Sequence, residues 1–308
     1  MDVVVVGSCN MDLISYVPRL PNPGETLHGH RFSMGFGGKG ANQCVMAARM
    51  GAKVAMVAKV GTDTFGKDYV ENFKKNNINI EHVGQTDQAS TGVAPIAVNE
   101  EGQNAIIIVT GANDLLSEED VHSAENTISK ARVLLCQLEV KPSVTMEALR
   151  VARKYGVTTV LNPAPAQRNL DPAVYSLCDI FTPNETEAEI LTGLPVKTLE
   201  DAGPAIEALL DKGCKTVIIT MGEKGSVYAT SQERKPVHIP ATKVTPVDTT
   251  GAGDAFMGAL AYYLALHPSM PFTETIRRSG QVATISVQAP GTQTSYPWRK
   301  DMPAELFT

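Results

Sequence analysis

Short apolar runs rich in β-branched residues recur at Val3 to Val6, Val54 to Val60, Val133 to Cys136, Thr158 to Leu161, Ile180 to Thr182 and Val217 to Thr220, and between most of them the apolar positions fall at helical spacing. That alternation predicts a parallel sheet, buried on both faces beneath crossover helices. The helices carry their own punctuation. Ser117 stands three residues before Asp120 as a cap pair, Pro142 sits where a first turn begins, and Gly51, Gly156 and Gly213 follow helices as C′ residues. Two regions break the alternation. Leu13 to Ser33 contains Pro18, Pro21, Pro23 and Gly24, and in Gly92 to Val109 the tripeptide Glu100-Glu101-Gly102 separates two strand-like runs. Each reads as a hairpin without a crossover helix, so a small second sheet is expected, built from about residues 13–35 and 92–110 and covering the carboxyl edge of the main one. Residues 1–308 then form a single α/β domain with this lid inserted in it. The run Ile106 to Val109 is apolar on both faces of so small a sheet, which predicts a homodimer through the lid.

Composition narrows the picture. The 308 residues carry 33 acidic and 27 basic side chains, a net charge of −6, which argues against a partner bound through phosphate contacts such as nucleic acid. Five scattered cysteines, none in a CxxC pair, predict free thiols and a reducing compartment, the cytoplasm with nuclear presence left open. Met1-Asp2 leads straight into Val3 without a secretory pattern, and no apolar run is long enough for a membrane helix, so no membrane association is expected.

The sharpest local feature is Asp248-Thr249-Thr250-Gly251-Ala252-Gly253-Asp254, which precedes a helical run from Ala255 to Leu266. Small residues at a helix start leave the N–H groups of Ala252, Gly253 and Asp254 open to an anion, and the helix dipole adds to the attraction. An acid beside an anion pocket makes sense if the carboxylate of Asp254 takes a proton from a hydroxyl while the N–H groups stabilise a transferring phosphoryl group. A second cluster, Gly35 to Asn42, opens a helix from about Ala41 to Met50 and spells GxGxxG. It follows a lid hairpin rather than the first core strand, which disfavours a dinucleotide site and leaves it as a close approach for a small polar ligand, with Lys39 and Asn42 as donors. Gly61 to Lys67 has P-loop spacing, but Asp68 stands where Ser or Thr would hold magnesium, so it reads as a capped helix start. The six histidines form no HExxH, and no GxSxG is present.

With both glycine clusters, Gly7 to Asp12, Gln137-Leu138-Glu139, Asn162 to Ala166, Thr182 to Glu189 and Gly291 to Trp298, the chain resembles, in order and over its whole length, the ribokinase-like carbohydrate kinases of the PfkB family. The resemblance implies a three-layer α/β/α fold with a mainly parallel central sheet and a β lid that pairs with a second subunit. It implies transfer of the γ-phosphoryl group of ATP to the 5-hydroxyl of D-ribose, with Asp254 as base and Gly251, Ala252 and Gly253 as anion hole. It places Asn10, Asp12, Gly38, Lys39, Asn42, Glu139 and Asp254 on the sugar, and Asn184, Glu187, Thr220, Gly222 and Gly253 on the nucleotide. Glu187 would act on Mg2+ through water. An activating monovalent cation, K+, would be held by Asp248, Thr250, Ser286, Ala289, Gly291 and Ser295. Alternatives are a kinase of the same family acting on another sugar or a nucleoside, and a sugar sensor without turnover.

Overall fold

The computed structural model describes residues 1–308. The chain forms β1 (Val3–Val6), then leaves the main sheet for lid strands β2 (Asn10–Tyr16) and β3 (Arg31–Gly37). It returns through α1 (Lys39–Arg49), β4 (Val54–Gly61), α2 (Thr64–Lys75) and β5 (Asn79–Thr86), and completes the lid with β6 (Gly92–Val98) and β7 (Asn104–Ile106). The second half runs α3 (Glu118–Ser123), α4 (Glu125–Ile128), β8 (Val133–Cys136), α5 (Pro142–Lys154), β9 (Thr158–Leu161), α6 (Ala173–Leu177) and β10 (Ile180–Phe181). It ends with α7 (Glu185–Thr192), α8 (Leu199–Asp211), β11 (Thr216–Thr220), β12 (Ser226–Thr230), β13 (Val237–Ile239), α9 (Ala252–Leu266) and α10 (Phe272–Ser286).

Nine strands make the main sheet in the order β13-β12-β11-β10-β9-β8-β1-β4-β5, parallel except for the antiparallel pairings of β12 with β11 and of β13 with β12 at one end. The alternation within β1 divides the core. Val4 and Val6 join the apolar layer under α5 and α8, whereas Val3 and Val5 face α1, α2 and α9. The apolar runs identify six of the nine strands. β5, with Asn79, Glu81, His82 and Gln85, lies at a sheet edge and has no such run, and β12 and β13 form the opposite edge. The expected punctuation is present: Ser117 and Asp120 form a reciprocal capping box, Pro142 opens α5, Gly51, Gly156 and Gly213 take positive φ, and Asp63 caps α2 by accepting from Gly66 N.

The lid is a separate four-stranded sheet, β3-β2-β6-β7, in which two antiparallel hairpins are joined by parallel pairing of β2 with β6. Its strand β2 begins at Asn10, so Asp12 lies within the lid and not in a turn after the first core strand. Phe32, Met34 and Ile106 to Val109 stand about half or more exposed, Ile107 at 66%. No helix is long and apolar enough to cross a membrane.

Candidate active site

Two helices begin at one place, and their N-termini differ. At α1 every early N–H is taken. Lys39 N donates to Glu139 Oε2 at 2.9 Å, Gly40 N to Ser8 Oγ at 3.3 Å, Ala41 N to Ser8 O and Asn42 N to Gly38 O. The carboxylate of Glu139 therefore caps α1, and its Oε2 also accepts from Ser8 Oγ at 2.5 Å. α1 begins two residues earlier than its pattern suggests because Gly38 holds φ +86 against the β1–β2 turn, where a Cβ would lie 2.7 Å from Asn10 N.

At α9 the N-terminus is open. The helix starts at Ala252 rather than Ala255, after Gly251 in the left-handed region. The N–H groups of Gly251, Gly253 and Asp254 have no acceptor within the protein. Ala252 departs from the expectation of an open donor: its N–H donates to Thr249 O at 3.2 Å, closing the turn that precedes the helix. The anion-binding capacity therefore sits on Gly251, Gly253 and Asp254.

Asp254, on the first turn of α9, is 7% exposed and lies against α1, where Oδ2 accepts from Asn42 Nδ2 and Oδ1 from Gln43 Nε2, each at 2.9 Å. Gly258, one turn further along α9, permits this approach, since a Cβ there would lie 2.6 Å from Gln43 O. Around this carboxylate stand the groups still free to bind a ligand: both oxygens of Asp12, Oε1 of Glu139 and the ammonium of Lys39. Burial, and then the charges of Glu139 and Asp254, raise the Asp12 carboxyl to about 7. Burial alone would lower Lys39, but Asp254, Glu139 and Glu187 outweigh it and raise its pKa. Three acids around one lysine form a pocket suited to hydroxyl donors.

Asn184 and Glu187 form a reciprocal capping box at α7: Asn184 N donates to Glu187 Oε2 and Glu187 N to Asn184 Oδ1, both at 2.8 Å. Burial raises Glu187, partly offset by the Asn184 N–H and Lys39. Thr220, at the end of β11, is bridged to Asn184, and Gly222 follows at positive φ beside open space. Near the start of α9, Asp248 Oδ1 accepts from Thr250 N and Oδ2 from Gly291 N, both at 2.9 Å, and these bonds outweigh desolvation to lower its pKa. The carbonyls of Thr250, Ala289 and Gly291 accept no hydrogen bond, while the hydroxyls of Ser286 and Ser295 donate to Ala283 O and Thr292 O.

Sequence reasoning missed Ser8, Gln43, Asn113 and Gln293. Asn113 Nδ2 donates to Asn10 Oδ1 at 2.8 Å and to Cys9 O, and its Oδ1 accepts from Cys9 N, which fixes the turn between β1 and the lid. Single amides of this kind carry no spacing signal.

The chain as a whole has clear relatives. The model of the pfkB family carbohydrate kinases matches residues 1–299. A ribokinase of Mus musculus is 56% identical over 305 residues, covering 99% of this chain and 94% of its own, and a deoxyribokinase of Salmonella typhi is 44% identical over 297 residues, covering 96% of each. The structure of Arabidopsis thaliana ribokinase complexed with ribose and ATP superposes with a TM-score of 0.90 at 31% identity, covering 100% of this chain and 99% of that one. On the match along nearly all of its length, the chain belongs to the pfkB family of carbohydrate kinases.

Proposed function

We propose that this chain phosphorylates the 5-hydroxyl of D-ribose with ATP, giving ribose 5-phosphate and ADP. The observation that carries the reading is the open N-terminus of α9 beside the Asp254 carboxylate, facing the acids Asp12 and Glu139. In this reading Asp12 and Glu139 Oε1 accept from ribose hydroxyls, and Asn10, Gly38, Lys39 and Asn42 complete the sugar pocket. Asp254 takes the proton of the 5-hydroxyl as that oxygen bonds to the γ-phosphorus and the bond to ADP breaks. The free N–H groups of Gly251, Gly253 and Asp254 receive the charge on the transferring group, with Ala252 closing the turn that aims them. Asn184, Thr220, Gly222 and Gly253 line the nucleotide.

Magnesium, when bound with the nucleotide, neutralises phosphate oxygens. The donor set fits a hydrated ion: Glu187 has one oxygen in its capping box and one free, and Thr182 Oγ1 on the same loop is buried without a partner. A monovalent cation is supported by hard oxygens only, the Asp248 carboxylate and the unoccupied carbonyls of Thr250, Ala289 and Gly291, with Ser286 and Ser295 flanking them. Turnover is expected to rise several-fold when sodium is replaced by potassium at constant ionic strength. An unchanged rate removes the cation from this loop.

The test of the substrate is ADP release with D-ribose, 2-deoxy-D-ribose, D-fructose and adenosine supplied separately. Deoxyribokinase relatives at 44% identity favour 2-deoxyribose as the second reading. Ribose is expected to give the highest kcat/KM. Preference for fructose or adenosine overturns the sugar assignment, and ribose binding without turnover favours a sensor.

The exposed lid residues Phe32, Met34, Ile106 and Ile107 support a homodimer, with the lid of each copy covering the other. Light scattering is expected to give a dimer for the native chain and a monomer for Ile107→Glu. A native monomer at micromolar concentration overturns this. Five unpaired cysteines fit the cytoplasm, and the lid hairpins fit insertions in one domain over 1–308.

A further inference from the structure

The amides that hold Asp254 continue into two chains of hydrogen bonds, buried next to Asp254 and half-buried at their far ends. On one side Gln43 Nε2 donates both to Asp254 Oδ1 and, at 3.1 Å, to Asn162 Oδ1, while Gln43 Oε1 accepts from Gln137 Nε2 at 2.6 Å. On the other, Asn42 Oδ1 accepts from Gln293 Nε2 at 2.9 Å, Gln293 Oε1 from Asn72 Nδ2 at 2.9 Å, and Asn72 Oδ1 from Asn76 Nδ2 at 3.3 Å. Asn76 Oδ1 accepts from Arg49 Nε at 2.8 Å. The second chain thus runs donor to acceptor from a guanidinium to a carboxylate. Arg49 forms no ion pair. Its Nη1 donates to the carbonyls of Gln293 and Tyr296, and its charge lies over the Trp298 ring.

The direction of the bonds is dictated from the ends. Asp254 only accepts, and the Thr182 carbonyl only accepts the Nδ2 of Asn162, so Gln43 must turn its NH2 toward both Asp254 and Asn162 Oδ1. Gln137 must then offer its own NH2 to Gln43. Its Oε1 is left buried with no partner, against the Cα of Gly7, where a Cβ would lie 2.2 Å away. An orphaned acceptor is a cost that an apolar side chain at position 137 would avoid, and it is retained where the chain of amides terminates on Asp254.

We propose that Gln43, backed by Gln137, and Asn72, acting through Gln293 and Asn42, are positioning residues that fix the orientation of the Asp254 carboxylate toward the reacting hydroxyl. The proposal rests on the assignment of Asp254 as base. Buried, mutually polarised amides hold a carboxylate plane more rigidly than water does, and small misplacements of a reacting group cost large factors in rate. Neither Gln43 nor Asn72 is assigned to the sugar or the nucleotide, so their loss acts on turnover.

The test is Gln43→Met and Asn72→Leu, each assayed for kcat, for ATP KM and, by calorimetry, for ribose Kd, alongside Asp254→Asn. Gln43→Met is expected to lower kcat roughly 30-fold and Asn72→Leu about fivefold, with ribose Kd and ATP KM within threefold of the native values. A folded Gln43→Met protein with kcat within twofold of native, or a loss confined to ribose Kd, overturns the proposal. If Gln43→Met does not fold, Asn72→Leu decides on the same criteria. An inactive Asp254→Asn beside normal amide variants overturns the positioning role and leaves the base intact. An active Asp254→Asn overturns both.

Discussion

Asp254→Asn is expected to lower kcat by about 10³- to 10⁴-fold, the scale of losing a general base, while ribose Kd changes only a few-fold. The carboxylate is the side chain at the open start of α9 that can take a proton, and its neighbours Asn42 and Gln43 are donors that cannot substitute for it. An amide at 254 presents an NH2 to one of those donors, so the side chain must turn locally, but the free N–H groups at Gly251 and Gly253 remain. The variant therefore keeps its anion site and loses the proton acceptor. Single-turnover assays with calorimetry separate the two, and a rate within tenfold of native removes Asp254 from the chemistry.

Glu139→Ala is expected to weaken ribose binding by roughly 30-fold and also to destabilise the fold by about 1–2 kcal/mol. The two effects belong to different oxygens. Oε1 is free to accept a sugar hydroxyl, whereas Oε2 holds Ser8, the N–H of Lys39 and, weakly, Asn10. Removing the side chain leaves the Lys39 N–H at the start of α1 without its acceptor and takes one negative charge away from Asp12. The Asp12 carboxyl, raised to about 7 by burial first and by Glu139 and Asp254 next, then titrates lower. In the native protein Asp12 becomes protonated as pH falls through about 7 and turns from an acceptor-only carboxylate into an acid with a donor, so with Asp12 on the sugar as proposed, ribose affinity is expected to decline on the acid side. In the variant that decline moves to lower pH. Calorimetric titrations across pH 5.5 to 8 check both parts, and an unchanged ribose Kd takes Glu139 out of the sugar pocket.

The features legible in the sequence were those with a period or a fixed spacing. The strand Val133–Cys136 is a continuous apolar run and Thr158–Leu161 a short β-branched one, and both are legible to the residue, while the lid is evident from two proline- or glycine-broken regions without crossover helices. The edge strands β5 and β13 are not, because a strand at a sheet edge needs no continuous apolar run, and in β12 Ser226, Tyr228 and Thr230 interrupt the apolar pattern. In the site, Asp254 and the glycines before it stood out as an acid at a small-residue helix start. The closed N–H of Ala252 did not, since a single turn bond to Thr249 depends on backbone torsions that composition leaves open. Ser8, Gln43, Asn113 and Gln293 were invisible for a different reason: each acts through a partner between 32 and 251 positions away, and only tertiary packing brings those partners into reach, that of α9 on α1 for Gln43, of the last loop on α1 for Gln293, of α1 on the turn after β1 for Ser8 and of the segment after the lid on that same turn for Asn113.

Because β2 pairs with β6 in parallel, Asn10 lies opposite Gly92, and everything from β3 to β5 intervenes. Closing so long a loop is entropically unfavourable until the intervening α1 and β4 have packed on β1, and α2 on β4 and β5, so the lid is among the last parts of the N-terminal half to form as the chain folds. Asn10 and Asp12 lie on that strand, and Asn113 locks its root only after β6 is in place. During synthesis the strands that carry Asn10 and Asp12 leave the ribosome well before α9, which carries Gly253 and Asp254, so the sugar side of the proposed site can form first and the phosphoryl side waits for the C-terminal part of the chain.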